Sequence, residues 1–199
     1  MKQTLALLAC TLLSAAAVTA EVKTGDPAPA FTLTDSNGKS HSLESFKGKT
    51  VVLEWVNHGC PFVKKHYDSG NMQSLQKDWT GKGVVWLSIC SSAPGKQGHQ
   101  SPADWNKTVA DKKASPTAVL IDEDGKVGKA YGAKTTPHMY IIAPDGKLVY
   151  QGAIDSVSSA NNDDIAGATN YVSAALAEVL AGKPVTNGST KPYGCSVKY

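Results

Sequence analysis

Apolar and polar positions change rhythm along the chain in a regular order. Residues 50–56 and 84–89 are near-continuous apolar runs, the pattern of strands covered on both faces. Segments 31–34 and 40–43 flank Asn37-Gly38, a hairpin-turn signal. A helix is predicted from Pro61, where proline suits the first turn, through Phe62, Tyr67, Leu75 and Trp79, with an irregularity near Gly70. Ser101-Pro102 joins an N-cap to a proline at the first helical position and opens a helix to about Lys113. A short strand at 118–121 and a brief helix through Val127 and Tyr131 follow. Strands at 139–142 and 148–152 are joined by the turn residues Pro144-Asp145-Gly146. Asp163-Asp164 is predicted to cap a last helix whose apolar face carries Val172, Leu176, Val179 and Leu180, ending at Gly182 and Pro184. Residues 185–199 are polar and predicted to be irregular.

The first twenty residues stand apart. Met1-Lys2, an apolar and small-residue run over 5–18 and Val18-Thr19-Ala20 have the build of a signal peptide cut after Ala20. That run is short for a membrane span, and no later segment could cross a bilayer. Leu7-Leu8-Ala9-Cys10 faintly resembles a lipoprotein box, which makes anchoring at Cys10 the secondary expectation. The expected organisation is a signal peptide over 1–20, one α/β domain over 21–182, and a tail over 183–199 that carries Cys195. The expected location is periplasmic or secreted. At 199 residues the chain can bury a real core. All 20 basic residues are Lys, and a chain without Arg is poorly equipped for bidentate phosphate or guanine recognition, so nucleic acid is not an expected partner.

Export changes what the cysteines mean. Once Cys10 leaves with the signal, Cys60, Cys90 and Cys195 remain, an odd set that allows at most one internal disulfide. Cys90, flanked by apolar residues, equally suits a small buried hydrophobe.

Strand, helix, strand, then helices and an antiparallel hairpin is the order of a thioredoxin-like sheet. The segment Glu54-Trp55-Val56-Asn57-His58-Gly59-Cys60-Pro61-Phe62-Val63 resembles the thioredoxin strand-to-helix active-site turn. Thr135-Thr136-Pro137, just before a strand, resembles that family's cis-proline loop. Gly25-Asp26-Pro27-Ala28-Pro29-Ala30-Phe31 and Phe46-Lys47-Gly48-Lys49 resemble the redoxin branch, the alkyl hydroperoxide reductase and thiol-specific antioxidant superfamily. The resemblance covers most of 25–154. It implies a three-layer α/β sandwich, with a central mixed sheet, flanking helices and an N-terminal β-hairpin. It also implies that Pro61, Thr136 and Pro137 contact the substrate backbone.

Chemistry supports a functional Cys60. A thiol at a helix N-terminus faces unsatisfied backbone N–H groups and the positive end of the dipole, which can lower its pKa from about 8.5 toward roughly 3.5–7.5. Lys64 lies one turn on and Lys65 is its neighbour. Glu54 is a carboxylate in an apolar strand, six residues before Cys60. The resemblance implies a buried acid that moves protons for the second thiol, with its pKa raised by burial. The alternative is an edge-facing acid paired with a Lys.

The departures from the family pattern matter. Val63 stands where thioredoxins carry their second Cys, so no C-x-x-C dithiol exists. Peroxiredoxins place their attacking Cys at the position of Val63, assisted by an Arg, and this chain has neither. The pattern resembles a peroxiredoxin-like subgroup that keeps only the first Cys of the thioredoxin pair. A partner for Cys60 must come from elsewhere: Cys195 in the tail or Cys90 at the end of a parallel strand. The loop over residues 91–100, with Gly95 and Gly98, is long enough to cover the site, but an ordinary surface loop is the preferred expectation. His58, His66, His99 and His138 form no tight ligand motif, so neither a metal nor another cofactor is expected.

Three function classes are consistent with these residues. The first is an exported thiol–disulfide oxidoreductase, acting on a disulfide-containing protein or a small thiol and served by an unidentified electron donor. The second is a thiol peroxidase of atypical layout, with a peroxide substrate. The third is a non-enzymatic metal- or partner-binding module, in which Cys60 is an ordinary thiol.

Overall fold

The near-continuous apolar run over 50–56 becomes an interior strand. The computed structural model describes residues 21–199; the expected leader 1–20, with Cys10, lies outside the described residues. The chain forms β1 (Thr32–Asp35), β2 (Ser40–Ser42), β3 (Val51–Trp55), α1 (Pro61–Asp68), α2 (Asn71–Thr80), β4 (Val85–Cys90), α3 (Pro102–Asp111), β5 (Ala118–Ile121), α4 (Lys126–Tyr131), β6 (Thr135–Thr136), β7 (His138–Ile142), β8 (Leu148–Gly152), α5 (Tyr171–Leu180) and β9 (Cys195–Ser196).

A seven-stranded mixed sheet has the order β2-β1-β5-β4-β3-β7-β8. Strand β3 runs parallel to β4, and β4 to β5, whereas β7 lies antiparallel to β3 on its other side. Period-two alternation splits each interior strand between two cores. Val51, Leu53 and Trp55 pack with Val85, Leu87, Ile89, Tyr131 of α4 and Tyr140. Val52 and Val56 pack with Tyr67, Trp79, Trp86, Trp105 of α3 and Leu176 of α5. Helices therefore cover both faces, and this two-sided burial is why β3 and β4 read as continuous apolar runs. Each fully buried side chain of this size contributes about 1.5–3 kcal/mol. The three-layer α/β sandwich with its N-terminal β1–β2 hairpin is the expected one.

Local differences from the sequence expectations have physical causes. The segment from Pro61 to Trp79 is two helices, because Gly70 adopts a left-handed φ of 78° that breaks the ladder and serves as N-cap of α2. Asp163-Asp164 does not cap α5: both lie in a separate 3-10 turn, Asn162–Ile165. Asn170 caps α5, its side chain accepting a hydrogen bond from the Ser173 N–H at 2.8 Å. Ser101 caps α3 as expected. The polar tail is not irregular throughout: it closes with β9, antiparallel to β6, in register Thr136 to Cys195.

Candidate active site

Two neighbouring parallel strands end at one sheet edge, and each ends beside a sulfur. After β3 the chain turns through Asn57, whose side-chain oxygen accepts from the Gly59 N–H at 2.8 Å and whose carbonyl accepts from the Cys60 N–H at 2.9 Å. This local turn delivers Cys60 as the N-cap of α1, with Pro61 following as the first helical residue. The Cys60 carbonyl accepts from Val63 N at 3.1 Å and Lys64 N at 2.9 Å.

The side chain of Cys60 is fully buried. Its Sγ lies 2.6 Å from Cys195 Sγ and 3.0 Å from the Thr136 carbonyl oxygen. Thr136 precedes Pro137 through a cis peptide bond, and both residues are buried. The β6–β9 pairing explains how a sulfur 135 positions away reaches Cys60. Thr136 is the direct partner of Cys195, and the Val197 N–H donates to the Lys134 carbonyl at 3.1 Å. Gly194 passes so close that a side chain there would run into the Thr136 carbonyl, and its φ of 142° also demands glycine.

Electrostatics separate the three thiols. Burial opposes ionisation of Cys60, but hydrogen bonds from Cys195 and from backbone N–H groups outweigh it, and the pKa of Cys60 is lowered. Cys195 is pushed up to about 11 by burial and by sharing its environment with Cys60. The two form one titrating pair whose first proton leaves from Cys60. Lysine charge is not the cause: Lys64 is exposed, and Lys65 is buried against Asp155 at 3.3 Å. Cys90, at the end of β4, is raised by burial, and its Sγ meets the Gly98 carbonyl at 3.5 Å. Cys60 and Cys195 are therefore brought together, whereas Cys90 is capped by a loop.

That loop does more than an ordinary surface loop. The Asn57 amide donates to the Gln97 carbonyl at 3.1 Å, and the Gln97 amide reaches the Gly59 carbonyl at 3.3 Å. It covers the turn before Cys60 on one side while β9 covers the sulfur on the other. Ala93 N–H also donates to the Lys198 carbonyl at 2.8 Å, which ties the two covers together.

Glu54 is buried in an interior strand, so the edge-facing alternative does not hold. Its carboxylate accepts from Tyr67 Oη at 2.8 Å, Trp86 Nε1 at 2.8 Å, Ser88 Oγ at 3.0 Å and Gln76 Nε2 at 3.2 Å. Burial raises its pKa against the pull of those donors. The contacts join α1, α2 and β4 to β3; none of them reaches a cysteine.

The histidines have separate surroundings. His58 packs on Tyr67 and Trp105, His66 faces Tyr193, His99 pairs with Glu123, and His138 lies against Tyr140. The Thr136 hydroxyl is buried with no hydrogen-bond partner, beside the sulfur pair. The sequence pattern did not reveal the roles of Asn57 and Gln97, of Tyr193 in the tail or of Asp155 beneath it, and it set Lys65 near Cys60 and not against Asp155. The one signal for Tyr193 was an aromatic residue directly before Gly194-Cys195 in a polar segment.

A cysteine capping the helix that follows a central parallel strand, opposite a cis-proline loop, places the molecule in the thioredoxin-like class. Within that class the chain belongs to the AhpC/TSA family, whose family model matches residues 24–151. It is similar to the thiol-disulfide oxidoreductase ResA of Bacillus subtilis (strain 168), with 30% identity over 128 residues, covering 64% of this chain and 66% of that protein. The match thus spans just under two thirds of that relative. It is also similar to Rv2521 of Mycobacterium tuberculosis, a protein with a provisional peroxiredoxin name, with 30% identity over 149 residues, 73% of this chain and 82% of that protein. Among solved structures, an uncharacterised conserved protein from Geobacillus kaustophilus superposes with a TM-score of 0.74 at 32% identity, covering 89% of this chain and 92% of the other.

Proposed function

We propose that this chain is an exported thiol–disulfide oxidoreductase in which Cys60 attacks and Cys195 resolves. The observation that carries the reading is the 2.6 Å approach of the two sulfurs, with the lowered pKa on Cys60. The Cys60 thiolate attacks one sulfur of a substrate disulfide, and the other sulfur leaves as a thiolate that takes up a proton. Cys195 then loses its proton to solvent, attacks Cys60 Sγ and releases the second substrate thiol. Two electrons pass from the protein dithiol to the substrate, and a dithiol reductant restores Cys60 and Cys195. An extended substrate segment would take the backbone position beside Thr136 and Pro137 that β9 fills. Glu54, bound to donors on three elements, supports the helix beneath Cys60 rather than exchanging protons with it. Export rests on the leader over 1–20 and agrees with a dithiol that cycles in an oxidising compartment.

The test is peptide mapping of the oxidised protein, together with a disulfide-reduction assay on a protein substrate. A Cys60–Cys195 crosslink and turnover that needs both cysteines are expected; turnover independent of Cys60 would sink the reading. The AhpC/TSA family match favours one second reading, that the same pair reduces a peroxide. The Cys60 thiolate would take one peroxide oxygen, becoming a sulfenic acid and releasing an alcohol or water, and Cys195 would displace water to form the same disulfide. Consumption of peroxide faster than of disulfide would make this the primary activity.

A further inference from the structure

The tail that carries Cys195 is held by a buried polar cluster that lies beside α1. Tyr193, two residues before Cys195, donates its hydroxyl to Asp155 Oδ1 and lies 3.3 Å from His66 Nε2. Its ring meets Phe62 edge-on, with centroids 5.9 Å apart, and sits 5.5 Å from Lys65 Nζ. Asp155 Oδ2 in turn accepts from Lys65 Nζ at 3.3 Å, and the same ammonium donates to the Val157 carbonyl at 2.9 Å. The second ring nitrogen of His66 faces Asn71 Nδ2 at 2.8 Å. Lys65, His66 and Asp155 are buried almost completely.

Phe62, Lys65 and His66 all belong to α1, whose N-cap is Cys60. One helix therefore locates both sulfurs, the first at its cap and the second through Tyr193. Burying a Lys–Asp pair costs desolvation that its attraction does not reliably recover, so the cluster is not an obvious stability device. A flexible tail would present Cys195 at an effective concentration of about millimolar, whereas a held one is pre-organised for exchange. We propose that Tyr193 is the positioning residue for the resolving cysteine, with Asp155 accepting from its hydroxyl and Lys65 pairing with Asp155 from the other side. This inference rests on the Cys60–Cys195 redox reading above.

The experiment equilibrates the full-length protein with glutathione: protein dithiol plus oxidised glutathione gives protein disulfide plus two reduced glutathione. Tyr193→Phe keeps the ring and removes only the hydroxyl. It is expected to lower the equilibrium constant about tenfold, equivalent to about 30 mV. A merely structural tyrosine would lower the melting temperature of both redox forms without shifting this equilibrium. Asp155→Asn, which keeps the shape and removes the charge, is expected to move the constant in the same direction. A wild-type protein that forms the disulfide while Tyr193→Phe stays within twofold overturns the proposal. A wild-type protein that forms no such disulfide overturns the redox reading instead. The positioning role of Tyr193 is then decided by Cys60 alkylation in the reduced protein: a faster rate in Tyr193→Phe sustains it, and an unchanged rate ends it.

Discussion

Strands β3 and β4 lie side by side, run the same way and end beside Cys60 and Cys90, yet the two sulfurs have opposite properties. After β3 comes a tight Asn57-centred turn and a helix, so Cys60 gains backbone N–H groups and a second thiol, and its pKa falls. After β4 comes a loop that folds back and buries Cys90 under the Gly98 carbonyl, and burial outweighs the hydrogen bonds from Ser92, so its pKa rises. Thiol reactivity at this edge is decided by the turn or loop beyond the strand and not by the strand itself.

The strongest way to break that contrast is to remove each sulfur. Cys60→Ser should reduce disulfide turnover by about a thousandfold or more, whereas Cys90→Ala should leave it within about twofold. Equal losses in a steady-state assay would mean that both sulfurs serve the reaction. Cys195→Ser should still attack but fail to resolve, so a mixed disulfide on Cys60 should accumulate and be visible as an intact-mass adduct. Rapid release of both substrate thiols from that variant would assign resolution elsewhere.

The pH dependence of alkylation sharpens the same contrast. Cys60 is lowered, so its labelling should climb at lower pH than that of an ordinary thiol near 8.5. Cys195 should lag until about 11, and Cys90, being raised, should also lag. Mass-resolved rates that rise together for all three would contradict it.

Under the same edge, Glu54→Leu should cost about 2–4 kcal/mol, because it leaves four buried donors unpaired. Glu54→Gln should cost less, and the pH profile of Cys60 alkylation should keep its midpoint in that variant. A shifted midpoint would restore a proton-transfer role to Glu54.

Acid sensitivity away from the cysteines leaves the contrast itself untouched and acts on the stability of the whole fold. Burial lowers His58 and His66 to about 4 and His138 to about 3. Each is therefore held neutral in the folded chain, while the unfolded chain protonates it near 6.5. Their contribution is complete above about pH 6.5 and is lost as pH falls from there to the folded values, at about 1.4 kcal/mol per pH unit for each histidine. Chemical denaturation at pH 7 and pH 5 should show that loss, and a flat profile would argue that the rings are hydrated.

Much of the site was legible because its signals are local. Helix entry at Pro61, the Ser101 cap and the apolar runs of β3 and β4 depend on neighbours within a few residues. The Asp163-Asp164 cap failed for the same reason: acidic residues suit many helix starts, and only packing puts Asn170 at this one. The burial of Glu54 came from strand order, which a single acidic residue in an apolar run cannot specify.

The sequence by itself determined that Cys60 caps a helix beyond an interior strand and that no second cysteine stands three residues on. Both facts are set by short-range geometry and by the identity of Val63. Only the tertiary structure decided between Cys195 and Cys90. That choice depends on β9 pairing with Thr135 and Thr136 from about 60 positions further along the chain, and on Tyr193 reaching Asp155 and α1. Backbone pairing and buried polar contacts at such separation leave almost no periodic trace in a polar tail.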